Sequence, residues 1–160
     1  MVRITDASNG NFVELAPVRY QFERAGGDTY DDNWLIIRGE VKSTTELWGF
    51  CDPCLLTSEA EHLGDWLRSA ALGLEGLRQP EEDDETVPSF NALEPNIGLG
   101  VVAVERDSVT VRFFLWLEAT PPSSADDAQM DYFLDLVTTP DALSRAATEW
   151  EDECARFPER

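Results

Sequence analysis

The spacing of apolar residues along the chain predicts two amphipathic helices. In the first, apolar side chains recur at steps of three and four, which places them on one side of a helix. These residues are Ala60, Leu63, Trp66, Leu67, Ala70 and Leu74. Ser58 and Glu61 have the spacing of a capping box, in which each side chain bonds a backbone N–H that the first turn leaves unpaired. We therefore expect this helix to begin near Ser58.

The second helix is predicted near residue 140. Thr139 precedes Pro140 and Asp141, and proline suits the first helical position while an acidic side chain is favourable near the positive end of the helix dipole. The apolar side of this helix consists of Leu143, Ala146, Ala147, Trp150, Cys154 and Phe157.

Alternation of apolar and polar residues predicts antiparallel strands on both sides of the first helix. The predicted strands cover residues 12–24, 33–42, 46–50, 99–104, 109–119 and 131–137. In the first of them, Val18, Tyr20 and Phe22 are expected on one face. Pro53 cannot donate a hydrogen bond to a sheet, so we expect the third strand to end there.

Phe114 and Trp116 lie opposite the main apolar face of their predicted strand and need a cover of their own. We expect a packed helix to supply it; the alternative is a surface for a partner. The order β-β-β-α-β-β-β-α predicts an α+β fold, an antiparallel sheet of about six to seven strands with the two amphipathic helices packed on it. We expect one domain over residues 1–160, with an acidic loop at 79–88.

The charge balance bears on the kind of partner. The chain has 32 Asp and Glu against 12 Lys and Arg, for a formal net charge of −20. Such a charge repels nucleic acid and anionic lipid, and accelerates encounter with a basic protein. We therefore expect a basic protein partner and neither nucleic acid nor a membrane. The alternative is that the charge serves solubility or salt adaptation.

Localisation is predicted from two further features. No stretch approaches the roughly 20 apolar residues of a membrane helix, and the first residues lack the basic start and apolar middle of a signal peptide. We expect a cytoplasmic protein with reduced cysteines.

Candidate chemistry is confined to Cys51 and Cys54, which form a C-x-x-C motif. The motif could be a redox pair or half of a zinc site, with His62 and Cys154 as further ligands. However, the predicted helix begins after both cysteines, so two small side chains packed at a strand end are the simpler interpretation. His62 is the only histidine, which excludes a histidine triad. We expect no cofactor and no catalytic site.

Three segments carry a resemblance to a known family. They read N-W-L-I-I-R-G-E-V at 33–41, W-G-F-C-D-P-C-L-L-T-S-E-A-E-H-L-G-D-W-L at 48–67 and L-E-P-N at 93–96. In these segments the chain resembles the WapI-like immunity family of bacteria, over about residues 13–157. The resemblance implies a protein that neutralises the nuclease tip of a toxin displayed on the cell wall. It also implies mainly architectural roles for Trp34, Asp52, Pro53, Ser58, Glu61, Trp66, Glu94, Pro95 and Asn96.

If that resemblance holds, the toxin would be contacted by acidic surface residues. The candidates are Asp31, Asp32, Glu81, Glu82, Asp83, Asp84, Glu85, Asp126 and Asp127. Our first hypothesis is thus a non-catalytic binding protein that neutralises a basic toxin domain. The second is an interaction or scaffold domain, or a homo-oligomer formed through Phe114 and Trp116. The third is a small metal or redox protein that uses Cys51 and Cys54.

Overall fold

The computed structural model describes residues 1–75, 88–124 and 132–160. These residues form two four-stranded antiparallel sheets, each followed in the chain by a helix. The elements are β1 (Val2–Thr5), β2 (Phe12–Tyr20), β3 (Trp34–Lys42), β4 (Leu47–Leu56), α1 (Thr57–Ala71), β5 (Phe90–Asn91), β6 (Ile97–Val104), β7 (Val109–Leu115), β8 (Phe133–Thr138) and α2 (Pro140–Cys154). The predicted α+β class is confirmed, while β1 and the short β5 are additional and the strands are divided between two sheets.

The first sheet has the order β1-β2-β3-β4 and contains two bulges. Pro53 lies within β4, so the prediction that the strand ends there is wrong. Because β4 is an edge strand, and a shift in pairing leaves Cys54 as an extra residue beside Pro53, the missing N–H is tolerated. A second bulge follows Pro17 and turns Val18 outward, 37% exposed. The prediction that Val18, Tyr20 and Phe22 share one face of the strand is therefore wrong. The strand also ends at Tyr20, before Phe22.

The second sheet has the order β5-β6-β7-β8, and β7 ends earlier than predicted. Leu117 has a positive φ of 48°, and a single 3-10 turn over Leu117–Ala119 replaces the end of the predicted strand. Thus the strand predicted over 109–119 stops at Leu115, and β8 begins at Phe133.

Phe114 and Trp116 are covered, but not by a helix as predicted. Their rings contact each other at 5.4 Å, and Phe114 also faces Phe133 at 6.5 Å. A Cβ added to Gly98 would lie 3.1 Å from Pro88 and 3.2 Å from Trp116. The glycine therefore provides the space in which Pro88 and Trp116 pack over the sheet.

The helices begin at different kinds of cap. β4 leads directly into α1, so Glu59 occupies the third helical position and accepts the Leu56 N–H at 2.9 Å. The predicted capping box of Ser58 and Glu61 is therefore wrong by two residues. The predicted start of α2 is confirmed, because Thr139 accepts the N–H of Ala142 at 3.2 Å ahead of the first turn.

One hydrophobic cluster contains residues of both sheets and both helices. Near its centre, Trp150 is 1% exposed and its indole N–H donates to the carbonyl of Ala60 at 2.7 Å. The two helices approach closely here, since a Cβ on Gly64 would lie 3.4 Å from the Trp150 ring and 3.3 Å from Glu151. One indole hydrogen bond and one glycine thus contribute to the close packing of the two helices.

Two hydrogen-bonded contacts join the sheets at opposite ends. The buried Asp6, just after β1, accepts N–H groups of Ser8 at 2.7 Å and of Val137 in β8 at 2.9 Å. On the other side, the indole of Trp48 in β4 donates to the carbonyl of Ala119 at 3.0 Å. Within the described residues, no helix is long and apolar enough to cross a membrane.

The first prediction concerns the buried indole at the helix crossing. Trp150→Ala removes its packing and its hydrogen bond, and should lower the free energy of unfolding by about 3–5 kcal/mol. Tyr30→Ala, at a ring that is 53% exposed, should change it by about 0.5 kcal/mol or less. Urea unfolding measures both values. A loss at Trp150 no greater than that at Tyr30 would contradict the packing described.

The second prediction concerns the pH dependence due to Asp6. Burial acts to raise its pKa, but hydrogen bonds from Ser8, Val137 and Asn9 outweigh burial and lower the pKa below its usual value. A carboxylate of this kind stabilises the fold above its unfolded pKa, and that contribution is lost as the pH falls through the folded pKa. At pH 7, Asp6→Asn should cost about 1.5–3 kcal/mol.

The deficit of Asp6→Asn should shrink below about pH 4, the usual range of an unfolded aspartate. Urea unfolding at a series of pH values measures it, with Glu23→Gln as the control at an exposed carboxylate. A deficit that stayed constant down to pH 2 would rule out this linkage.

Candidate partner-binding site

The predicted acidic contacts divide into one exposed residue, one buried residue and seven outside the described residues. Asp31 is exposed. Asp32 is only 5% exposed, and its two carboxylate oxygens accept the N–H groups of Gly26 at 2.6 Å and Gly27 at 2.8 Å. The N–H of Gly26, helped by Gly27 and the charge of Arg160, lowers the pKa of Asp32 despite burial. Asp32 therefore organises its own turn and offers a partner no free oxygen.

The remaining acidic candidates fall on chain positions outside the described residues, as does the predicted acidic loop at 79–88 except for Pro88. They are Glu81, Glu82, Asp83, Asp84, Glu85, Asp126 and Asp127. Their role in binding stays a prediction.

Several residues of the family-like segments do hold the fold together. Trp66 is buried and its indole donates to Ser89 at 2.8 Å, and Trp34 is half-buried with its ring edge-on to Tyr30 at 6.4 Å. The buried Asn96 accepts the N–H of Trp116 at 3.0 Å through its backbone carbonyl. These contacts are consistent with the predicted architectural roles of the three residues.

The other residues of these segments lie closer to the surface. Ser58, Glu61 and Glu94 are exposed, while Asp52, Pro53 and Pro95 are half-buried. Glu61 makes no cap, since that position is taken by Glu59.

Cys51 and Cys54 differ in environment. Cys51 is exposed, whereas Cys54 is fully buried and its thiol donates to the carbonyl of Asp52 at 3.3 Å. Burial, and then the charges of Asp52 and Glu118, raise the pKa of Cys54 above its usual range. Redox and metal chemistry require the thiolate, so this environment opposes both. The described residues contain no group of three or more His, Cys, Asp or Glu positioned to hold a metal ion.

A groove of about 470 Å³ lies between the two helices and the last residues of the chain. We call it the interhelical groove. Its apolar lining includes Leu35, Ala60 and Phe157, and its rim carries Glu61 and Asp65 of α1 together with Glu151 of α2. An apolar floor below a ring of carboxylates suits a long side chain with a cationic end.

The rim carboxylates are unequally neutralised. Glu151 forms an ion pair with Arg68 across the helix pair. Glu61 and Asp65 have neither an ion pair nor a hydrogen-bond partner among the described residues. Like charges four residues apart on a helix destabilise it by about 0.2–0.5 kcal/mol. Burial, and then the charges of Glu153 and Glu61, raise the pKa of Cys154 in the groove lining to about 12.

The end wall of the groove is held to the first sheet. The hydroxyl of Tyr20 donates to the carbonyl of Pro158 at 2.5 Å, and the ring of Tyr20 meets Phe157 edge-on at 5.5 Å. The side chain of Asn33 accepts the N–H of Arg160 at 2.8 Å. Because these contacts fix the wall in place, the groove is formed before any partner arrives.

Sequence reasoning did not find this groove. The spacing of Glu61 and Asp65 on the polar side of α1 was visible, and it is the one local signal. Their position beside Glu151 and Phe157 depends on how α2 crosses α1, which no local pattern specifies.

The aromatic face of the second sheet offers less to a partner. Phe114 and Trp116 are only 6% and 8% exposed, while Phe133 is 48% exposed. Arg112 lies 3.9 Å over the ring of Phe133 and pairs with Asp135 through bonds of 2.7 and 2.8 Å. The proposed oligomer surface is thus largely covered by the chain itself.

Comparison with known proteins identifies the family. The sequence model of the immunity protein WapI-like family matches residues 3–158. The chain therefore belongs to the immunity protein WapI-like family. Searches of curated proteins and of solved structures gave no significant match.

The third prediction tests the cysteine environments. At pH 8, a thiol reagent should modify only Cys51 in the native protein, because burial raises the pKa of Cys54 and of Cys154. In urea all three thiols should react. Reaction is followed by absorbance and assigned by mass spectrometry, with Cys51→Ser as the control that should abolish the native signal. Rapid modification of Cys54 in the native state would contradict this description and revive the redox hypothesis.

Proposed function

We propose that this protein is a non-catalytic immunity protein that binds a cognate toxin domain, of a basic nuclease type, through its acidic surface. The observation that carries the proposal is the family match over residues 3–158. The net charge of −20 supports the basic character of the partner, since oppositely charged surfaces attract over distances longer than direct contacts.

The mechanism follows from the needs of a nuclease. An enzyme that grips RNA must present cations to the phosphates, and carboxylates of an inhibitor can occupy the same positions. Electrostatic complementarity raises the association rate and excludes partners of the same charge. Asp31 is one candidate contact, and the acidic residues at 81–85 and 126–127 remain further candidates. Because RNA is the target of such a toxin, we place the protein in the cytoplasm.

The alternative functions receive less support. A homo-oligomer formed through Phe114 and Trp116 would need rings that are now packed against Pro88 and Phe133. A metal or redox protein would need a reactive thiolate at Cys54, which burial opposes. Neither alternative has an observation that favours it over toxin binding.

The fourth prediction tests the proposal with purified proteins. The partner in the assay is a cognate toxin domain from the same organism, and its RNA cleavage is measured with increasing amounts of this protein. Cleavage should stop at a fixed molar ratio. Raising the salt from 50 to 500 mM should slow association by about tenfold or more, because screening removes electrostatic steering.

A second test uses a variant in which the acidic residues at positions 81–85 are replaced by neutral ones. It should associate more slowly and also dissociate faster, because the removal of carboxylates that contact the partner's cations affects both rates. Cleavage that persists with this protein in large excess would overturn the proposed function. Binding that is insensitive to both salt and this variant would overturn the acidic-surface mechanism alone.

A further inference from the structure

We propose that the interhelical groove receives an arginine side chain of the toxin, with its guanidinium bound between Glu61 and Asp65. This inference rests on the proposed function and assigns one contact within it. It differs from the sequence-based expectation, which placed the contacts in acidic loops.

The shape and lining of the groove fit an arginine. Its volume of about 470 Å³ lies within the range of about 300–1,000 Å³ that is typical of ligand pockets. The methylene stem of arginine can pack on Phe157 and Ala155, above a base formed by the buried Leu35 and Ala60. Its charged end then remains at the rim. The groove is also open to a partner, since Glu61 and Asp65 are both exposed.

The rim already binds one guanidinium. Arg68 of α1 pairs with Glu151 of α2 at the edge of the groove, so a carboxylate in this position accepts an arginine in the free protein. Glu61 and Asp65 have no corresponding cation among the described residues. A planar guanidinium has five N–H donors and can bond two carboxylates at once, which an ammonium does with less directional fit.

The arrangement is unfavourable without a ligand. Two carboxylates one helical turn apart repel each other, whereas Glu151 is already paired with Arg68, and Glu153 with Arg156 and the N-terminal amine. Burial, and then the charges of Glu153 and Glu61, raise the pKa of Cys154 in the lining. A bound cation would relieve the repulsion, so neutralising Glu61 and Asp65 should preserve or raise the melting temperature while it weakens binding. A purely structural role predicts the opposite effect on stability.

The groove is prepared for binding before the partner arrives. Tyr20 and Asn33 fix the end wall through Pro158 and Arg160, and the close contact at Gly64 fixes the spacing of the helices. A rigid site loses less conformational entropy when it binds.

The test compares two variants of equal charge. Glu61→Gln with Asp65→Asn removes two carboxylates at the groove, and Glu23→Gln with Glu149→Gln removes two exposed carboxylates elsewhere. The first probe is the peptide acetyl-Gly-Arg-Gly-amide, titrated by amide chemical shifts. Its lysine and citrulline analogues are controls.

In the wild type, the arginine peptide should shift amides near Glu61, Asp65 and Phe157, and bind more tightly than either analogue. The groove variant should bind it at least fivefold more weakly, and the control variant within twofold of wild type. Shifts spread over the whole surface, equal weakening in both variants, or equal binding of the lysine analogue would overturn the inference.

The second probe is the toxin domain used above. If wild type binds it and the groove variant binds at least tenfold more weakly than the control variant, the inference is supported. If wild type and both variants bind equally, the groove assignment fails and the proposed function stands. If wild type does not bind the toxin at all, the proposed function fails first and the groove inference fails with it.

Discussion

The packing of Trp150 between the helices and the sheets is the interaction on which the other features depend. Its indole lies beside residues of β1, β2, α1, β6 and β7 around one cavity of about 20 Å³, and its N–H bonds the carbonyl of Ala60. Two antiparallel sheets with few direct links need such a common centre, because a sheet face is stabilised only when another layer buries it. Gly64 allows the close approach that the indole requires. The position of α2 relative to α1 follows from these contacts.

That helix crossing also determines the interhelical groove, to which we assign an arginine of the partner. It brings Glu151 beside Glu61 and Asp65 and leaves an open groove lined by both helices. The packing of α2 on α1 therefore determines both the core and the interhelical groove. A net charge of −20 attracts a basic partner from any direction, whereas a fixed groove with two carboxylates lacking a cation can select one side chain. The net charge of the whole chain thus attracts a basic partner over long distances, whereas the shape of the groove acts only on a side chain that enters it.

Much of the fold was predictable because it depends on local periodicity. The stripes of α1 as far as Ala70 and of α2 as far as Cys154, and the cap at Thr139, follow from residue spacing alone. Leu74 and Phe157, which were predicted on these stripes, lie beyond the ends of the helices, and Leu74 is 73% exposed. The bulges beside Pro17 and Pro53 could not be predicted from residue spacing. Each bulge adds one residue to a strand, which reverses the face that every later side chain occupies. Asp32 lies in a segment whose composition is typical of a surface loop. It is nevertheless buried, and its carboxylate accepts the N–H groups of Gly26 and Gly27. The groove could not be predicted, because its walls come from residues more than 100 positions apart in the chain.

The most direct measurement of the central claim is growth of cells in which a cognate toxin domain is induced with and without this protein. The account predicts that cells making the toxin alone stop growing, and that coexpression of this protein restores growth. An unrelated acidic protein of similar charge should not restore it, because charge without a matching surface gives attraction but not specific inhibition. Growth arrest that persists despite abundant folded protein, or equal rescue by the unrelated acidic protein, would contradict the account.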